Sequence, residues 1–375
     1  MVELAITWLP EIKEKGGLEK WLELLETLRV VTEGKIFLET PRARVTRLLS
    51  RYYEGLKTKE SLQTASDLLS ELQVETYSSM ERTEKVEFII EQMRLLTDLA
   101  KQKDMAVEKK EGKESLGGGE SEWIKVRVGG RKVNEDFLKQ KENQDLKLRY
   151  YKLMITHALH HNAYLDVAKY YHKIWETPSI KEDVDKEGKA ALERIVYYII
   201  LAPHDHEQSN MLHQISLDPA LTRDDLKLHF DLVKNFVTSE ILPWPNVVQN
   251  YGEDLRKTTE FKQDKLWEDL RVRVIEHNIR VIAKYFTRIR LARLTKFLDL
   301  ETAKDTEDIL TRLVNSGTIW AKVDRPAGII NFRTKRSAED VMNDWSSDMQ
   351  KLLGLVEKTW MGMNAAQAAQ SRVKS

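Results

Sequence analysis

The sequence has 375 residues, 41% of them hydrophobic and 32% charged, which excludes a wholly disordered chain and exceeds what one compact core usually fills, so two domains or an extended repeat array is expected. Lys plus Arg and Asp plus Glu each total 60, leaving no global field to attract nucleic acid or an anionic membrane. With no cysteine present, disulfides, thiolate metal sites and a cysteine nucleophile are excluded, and the composition points to a reducing compartment.

The opening MVELAITWLPEIKEKGG carries Glu3 and Glu11 and lacks the basic flank and unbroken apolar run of a signal peptide. From Leu18 to Lys103 apolar residues recur at helical spacing: Trp21, Leu22, Leu25 and Leu28, then Val45, Leu48, Leu49, Tyr52 and Tyr53, then Leu62, Ala65, Leu68, Leu69 and Leu72, with a fourth stripe over Val86–Leu99. Amphipathic helices joined by short turns describe stacked antiparallel pairs, so residues 1–103 read as N-terminal helical repeats. Residues 104–132 read as a flexible insertion or linker, because apolar content collapses into EKKEGKESLGGGESE. Within it, Ile124, Val126 and Val128 alternate as a short strand would, ended by Gly129 and Gly130; an irregular linker is the alternative.

Helical repeats resume over 133–265. Leu146, Tyr150, Leu153, Met154 and Ala158 form one stripe, and Tyr164, Val167, Ala168, Tyr171 and Ile174 another, with Pro178 terminating the second helix. A further helix spans Ala190–Ala202 and stops at Pro203; its apolar run IVYYIILA (Ile195–Ala202) is less than half the roughly 20 residues that cross a bilayer and reads as a buried face. Leu226–Phe236 is the next helix, and Leu242–Pro245 interrupt the one after it.

The character then changes. Residues 266–336 offer a long helix (Leu266–Phe286), a shorter one in RLARLTKFLDL, a third in TAKDTEDILTRLVNSG with Gly317 as its C-terminal stop, and two strand-like runs, TIWAKV and IINFR. Three helices and a hairpin in that order describe a winged-helix module with the hairpin as its wing. Residues 337–363 form a last helix, entered through Ser337 and Asp340 in a weak capping box, and residues 364–375 a disordered tail. The fold class is therefore mostly α, a TPR-like solenoid followed by a winged-helix module and a long C-terminal helix.

Chemistry finds little support. His204, Asp205, His206 and Glu207 follow Pro203 in a turn and lack the HExxH spacing that places two ligands on one helical face, so they read as capping residues. SLGGGES lacks the Gly-Lys-Ser/Thr ending of a phosphate loop, and no GxSxG elbow occurs. The chain is read as no enzyme, with no catalytic, cofactor or metal site. Arg271, Arg273, Arg280, Lys284, Arg288, Arg290, Arg293 and Lys296 make the winged module locally basic, but the recognition segment Thr302–Asn315 carries Asp305, Glu307 and Asp308, which repel phosphates. A nucleic-acid-associated winged helix is thus the runner-up reading, and ion pairing with neighbouring helices or subunits is the expected role of the arginines.

The best candidate binding residues lie on the last helix: Trp345, Met349, Leu352, Leu353, Val356 and Trp360, an apolar stripe joined by Val341 and unable to stand alone in water. The alternative, that the stripe folds back on its own chain, stays open. In the wing, Ile319, Ala321, Val323 and Ile330 combine core positions with an exposed strand edge suited to backbone pairing.

YYIILAPHDHEQS (Tyr197–Ser209), YGEDLRK (Tyr251–Lys257), RVIEHNIRVIAKYFTRI (Arg273–Ile289), WAKVDRPAGIINF (Trp320–Phe332) and NDWS (Asn343–Ser346) are ordered runs spread over roughly Val133 to Trp360. They resemble the PCI family, whose members build the proteasome lid, the signalosome and translation initiation factor three, and they favour the lid branch. The first hundred residues resemble it less sharply, and family members carry more helical sequence ahead of this point, which leaves the completeness of the N-terminus open. The resemblance implies a horseshoe of repeats leading into a PCI winged helix, with the C-terminal helix entering a bundle shared by lid subunits. It further implies a non-catalytic scaffold of the regulatory particle, in cytoplasm and nucleus, serving ubiquitin-dependent protein catabolism without a cofactor. The implied partners are other PCI lid subunits, the lid metalloprotease deubiquitinase that this subunit positions, and base ATPases and core-particle subunits. No specific nucleic acid and no membrane are implied.

Overall fold

A computed structural model describes residues 8–9, 17–111, 118–182, 188–262, 264–332 and 338–374. The expected cap at Ser337, residues 112–117 of the expected flexible insertion and most of the opening segment lie outside them. The chain divides into two compact units, Met1–Ser239 with Glu253–Arg273, and Glu240–Gly252 with Val274–Ser375.

The first unit is built from helices α1 (Leu18–Thr32), α2 (Glu39–Gly55), α3 (Lys59–Ser70), α4 (Arg82–Glu111), α5 (Glu120–Lys132), α6 (Glu135–Leu138), α7 (Gln144–His160), α8 (Tyr164–Trp175), α9 (Pro178–Glu182), α10 (Lys189–Leu201), α11 (His206–Ser216) and α12 (Lys227–Val237). Each packs on its sequence neighbours: α1 on α2, α2 on α3, α3 on α4, α4 on α5 and α7, α7 on α8, and α8 on α10. The stripes read from the sequence are the contact faces. Trp21 and Leu25 meet Val45, Leu49 and Leu68 in one cluster, and Ala65, Leu69 and Leu72 meet Phe88 and Leu95 in the next. Helix α10 has almost no polar face and is correspondingly buried from Ile195 to Leu201. Its Tyr198 ring stacks on Tyr164 and Tyr171, with centroids 6.3 and 5.8 Å apart. Pro178 opens α9 rather than ending α8, which closes at Trp175, as proline suits the first turn of a helix.

Helices α2 and α4 are joined by a ladder of ion pairs. Arg44 grips Glu84 with two bonds of 2.8 and 3.0 Å, Arg51 reaches Glu91 at 2.8 Å, Arg47 reaches Glu87 and Glu91, and Arg94 returns to Glu54 at 2.6 and 2.9 Å. Most of these partners are 40 residues apart, and a constant offset means that the two helices run parallel, as the equivalent helices of successive repeats do. Hydrogen bonding from Arg44 and Arg94 holds the Glu84 and Glu54 carboxyls below their usual 4.5. A lowered carboxylate pKa stabilises the fold fully above the unfolded value and loses that contribution as pH falls through the folded one. In urea titrations, Arg44→Gln with Arg94→Gln is therefore expected to destabilise the chain by about 1 kcal/mol at pH 7, and the difference from the unaltered chain should shrink as pH drops through the carboxylate range.

The expected strand at Ile124–Val128 is helix α5, and the expected linker is packed structure on both sides of 112–117. Helix α4 runs on to Glu111. Lys103 Nζ binds Glu122 at 2.8 Å, and Asp104 accepts from the Gly119 backbone N–H and from Trp123 Nε1, both at 2.9 Å. Gly129 and Gly130 argue against a helix by propensity, costing about 1 kcal/mol each. Here they let helices approach: a Cβ at Gly129 would lie 2.9 Å from Met93 Cγ, and one at Gly130 2.8 Å from Met154 Sδ. Trp123 and Val126 face inward while Ile124 and Val128 are exposed, a period of three rather than two.

The second unit takes parts of α13 (Trp244–Lys257) and α14 (Asp264–Tyr285), then β1 (Arg288–Arg290), α15 (Leu291–Phe297), α16 (Ala303–Asn315), β2 (Lys322–Asp324), β3 (Ile329–Asn331) and α17 (Ala338–Lys374). Its sheet has the order β1-β3-β2, all antiparallel, with Ile330 of β3 opposite Ile289 on one side and Val323 on the other. Ile275, Ile279 and Ile282 of α14, Leu294 and Leu298, and Ile309, Leu310 and Leu313 of α16 close the core over that sheet. Thr302 caps α16 by accepting from the Asp305 N–H at 3.1 Å, and Gly317 ends it at φ +73°, its N–H bonded to the Val314 carbonyl. Buried Asn278 fixes the approach to α13, accepting from the Leu242 N–H and donating to its carbonyl, both at 2.7 Å.

This is the three-helix and wing arrangement read from the sequence, with additions and corrections. Strand β1 was not anticipated: three residues between two helices, with one apolar side chain, leave no period to read. Strand β2 covers only the end of TIWAKV. Helix α17 continues through the expected tail to Lys374, where Ala365, Ala366, Ala368 and Ala369 favour helix intrinsically.

Candidate functional site

Helix α17 sets out an apolar surface that the described residues of its own chain leave uncovered. At 3.6 residues per turn, Val341, Trp345, Met349, Leu352, Leu353, Val356 and Trp360 fall within an arc of roughly 120°. Trp345 is 62% exposed, Leu352 55%, Leu353 61%, Val356 57%, Trp360 62% and even Met349 39%. Met342 and Met363 fall within the same arc, Leu355 widens it, and all three are also exposed. Every described side chain from Val341 to Ala366 is exposed, so no described residue of the chain covers the stripe.

The wing residues divide by strand alternation. Ile319, Ala321 and Val323 are half-buried and pack against the winged-helix core. Trp320, Lys322 and Asp324 alternate with them and are exposed. Strand β2 lies at the outer edge of the sheet, so its backbone offers a pairing edge among the described residues. A groove of about 900 Å³ runs beside that edge, lined by Arg288, Thr311, Trp320, Lys322 and Arg325 among others. Trp320, 42% exposed, escaped the sequence reading, though it is the one large apolar side chain that strand alternation turns outward.

The residues weighed for chemistry have structural partners. Asp205 caps α11, accepting from the His206 N–H at 2.7 Å, and His204 meets the Gln208 side chain at 3.2 Å. Among the described residues no group of three His, Cys, Asp or Glu side chains is arranged to hold a metal, and no helix is long and apolar enough to cross a membrane. On the winged module, Glu307 of α16 pairs with Arg325 at 2.5 Å, and Arg293 lies over the Phe286 and Phe297 rings at 6.0 and 5.4 Å. Arg273 donates to the Leu201 carbonyl at 2.9 Å. A backbone carbonyl and aromatic faces are thus among the partners of Arg273 and Arg293.

Three family models match the chain in sequence: "PSMD12/CSN4, N-terminal" over residues 1–183, "PCI domain" over 234–334, and "26S proteasome regulatory subunit RPN5 C-terminal domain" over 339–360. The first takes in the hundred residues whose motifs looked least similar, and the last coincides with the exposed stripe of α17. Among curated relatives, the chain is 37% identical to 26S proteasome regulatory subunit rpn501 of Schizosaccharomyces pombe, covering 96% of this chain and 75% of that one. It is 39% identical to 26S proteasome regulatory subunit RPN5 of Saccharomyces cerevisiae, over 95% and 75% of the two chains. With 26S proteasome non-ATPase regulatory subunit 12 of Dictyostelium discoideum the identity is 37%, over 96% and 74%. A helical first unit, a winged-helix second unit and sequence identity along nearly the whole length agree, and the chain belongs to the family of RPN5, the non-ATPase regulatory subunit 12 of the 26S proteasome.

Proposed function

We propose that this chain is a non-catalytic scaffold subunit of the lid of the proteasome regulatory particle, acting in ubiquitin-dependent protein degradation. The observation that carries this reading is the uncovered apolar face of α17, running from Trp345 to Trp360, within the segment matched by the RPN5 C-terminal model. A helix so apolar requires a partner surface in water. Trp345, Met349, Leu352, Leu353, Val356 and Trp360 are its anchors in a bundle with other PCI subunits. The backbone edge at β2, held by Ile319, Ala321 and Val323 against the core, pairs side by side with a neighbouring wing. The helical repeats supply rigid reach toward further neighbours, among them the metalloprotease deubiquitinase that the subunit positions, and the base ATPases and core particle. Its place of action is the cytoplasm and nucleus.

The test is native mass measurement of complexes captured from cells on the tagged chain, beside a form truncated after Arg336. Recovery of a multisubunit lid by the full chain, with loss of partners on truncation, is expected. A lone chain or a nucleic-acid-bound species would overturn the assignment, and a complete lid on the truncated form would overturn the role given to α17.

A further inference from the structure

The helical first unit contains a cleft that the scaffold reading does not use. Helices α5, α7 and α8 border it, and its volume is about 620 Å³. Arg127 and Arg131, one turn apart on α5, line it from one side, and His157 and His161, one turn apart at the end of α7, from another. Both arginines are exposed, and neither makes an ion pair or hydrogen bond to another described residue. Of the two acids at the cleft, Glu135 holds Lys173 Nζ at 2.7 and 2.9 Å, and Asp166 lies 4.0 Å from Lys169, which Glu207 holds more closely at 2.5 Å. His157 is only 8% exposed, yet its Nε2 has no hydrogen-bond partner. A buried polar atom left in this state carries an uncompensated desolvation cost unless something meets it.

Electrostatics points the same way as the geometry. Burial, then the neighbouring His161 and Arg127 charges, push His157 down to about 4. Burial, His160 and Arg127 likewise lower His161. The cleft thus holds two guanidiniums with no ion-pair partner among the described residues, beside the carboxylates of Asp166 and of Glu135, the latter engaged by Lys173. One carboxylate would satisfy a single guanidinium. Two guanidiniums supply the charge, while two imidazoles whose protonation the cleft disfavours and Tyr170 at the cleft wall supply neutral hydrogen-bonding groups, a set that fits a group with three acceptor oxygens.

We propose that this cleft binds a phosphomonoester, its oxygens paired with Arg127 and Arg131 and met by His157 and His161. The group is carried on a polypeptide side chain or on a free small molecule; the chemistry is shared. The site lies outside the winged module and helix α17, and the proposal stands or falls independently of the lid assignment.

Calorimetric titration of the isolated full chain tests it, with inorganic phosphate, the blocked peptide Gly-Gly-phosphoserine-Gly-Gly and its glutamate counterpart as probes. Saturable binding of a phosphate probe is expected, weakened about tenfold or more by Arg127→Gln with Arg131→Gln and unchanged by Lys125→Gln on the same helix. Tighter binding of the phosphopeptide than of phosphate assigns the ligand to a polypeptide, and the reverse order to a small molecule. Equal binding of the glutamate peptide, indifference to the arginine changes, or no saturation at millimolar phosphate would overturn the proposal. Should the double variant fold poorly, the His157 ring resonances of the unaltered chain decide: they must shift on adding the bound probe, and their constancy refutes the site.

Discussion

Replacing Trp345, Leu353 and Trp360 together by alanine is expected to abolish recovery of the chain in a lid complex while leaving the isolated chain as stable as before. The three side chains are 62%, 61% and 62% exposed, so their truncation removes almost no intramolecular packing, and surface changes of this kind stay within about 0.5 kcal/mol of neutral. Alanine is also the better helix former. In an interface the same side chains would be desolvated anchors, each worth about 2 kcal/mol or more, and losing all three would weaken association by more than about a thousandfold. Thermal unfolding of the free chain, run beside capture from cells, separates the two effects. A drop in melting temperature together with intact capture would mean that the stripe serves its own fold, and the assembly reading of α17 would be lost.

The opposite pattern is expected at Ile330. This side chain is fully buried at the centre of the winged-helix sheet, facing Ile289 across one strand pairing and Val323 across the other, with α14, α15 and α16 closing over it. Ile330→Ala removes three carbons from a site that cannot collapse without moving both neighbouring strands. The cost is about 2–5 kcal/mol, the range for buried aliphatic truncations that leave a cavity. Urea unfolding should show the loss directly, and Trp320→Ala, at an exposed position in the same wing, should cost under about 0.5 kcal/mol. If Ile330→Ala were the milder of the two, the register of the sheet would be wrong. Assembly should respond as well, because Val323 and the β2 edge are paired to β3 at Ile330.

Long stretches of this architecture were legible from residue spacing alone. The stripes at Trp21–Leu28, Val45–Tyr53 and Leu62–Leu72, the apolar run at Ile195–Ala202 and the stop at Gly317 each announce a helix or its end, because the burial of one face imposes a period of 3.6 and a left-handed stop favours glycine. The apolar face of the last helix was legible for the same reason. Where the sequence misled, a local signal was outweighed by a distant contact. Gly129 and Gly130 carry poor helix propensity, and only their approach to Met93 and Met154, many residues away, accounts for a helix there. Strand β1 exists because Ile289 finds Ile330 across 41 positions of chain, and three residues cannot declare such a pairing in advance.

By itself the sequence determined the helical class, the order of repeats before winged helix before final helix, and the family, since these follow from periodic burial and from runs of identity along the chain. Tertiary structure alone decided which charges are answered and which side chains are left uncovered. Arg44, Arg51 and Arg94 meet carboxylates across a repeat, whereas Arg127 and Arg131 meet none among the described residues, though all five are the same residue type on helices of the same kind. Likewise Trp123 is buried and Trp345 exposed, each on an amphipathic helix. The physical reason is that pairing and exposure belong to the space between elements, and local periodicity fixes only which face of an element seeks a partner, leaving the fold to say whether one is there.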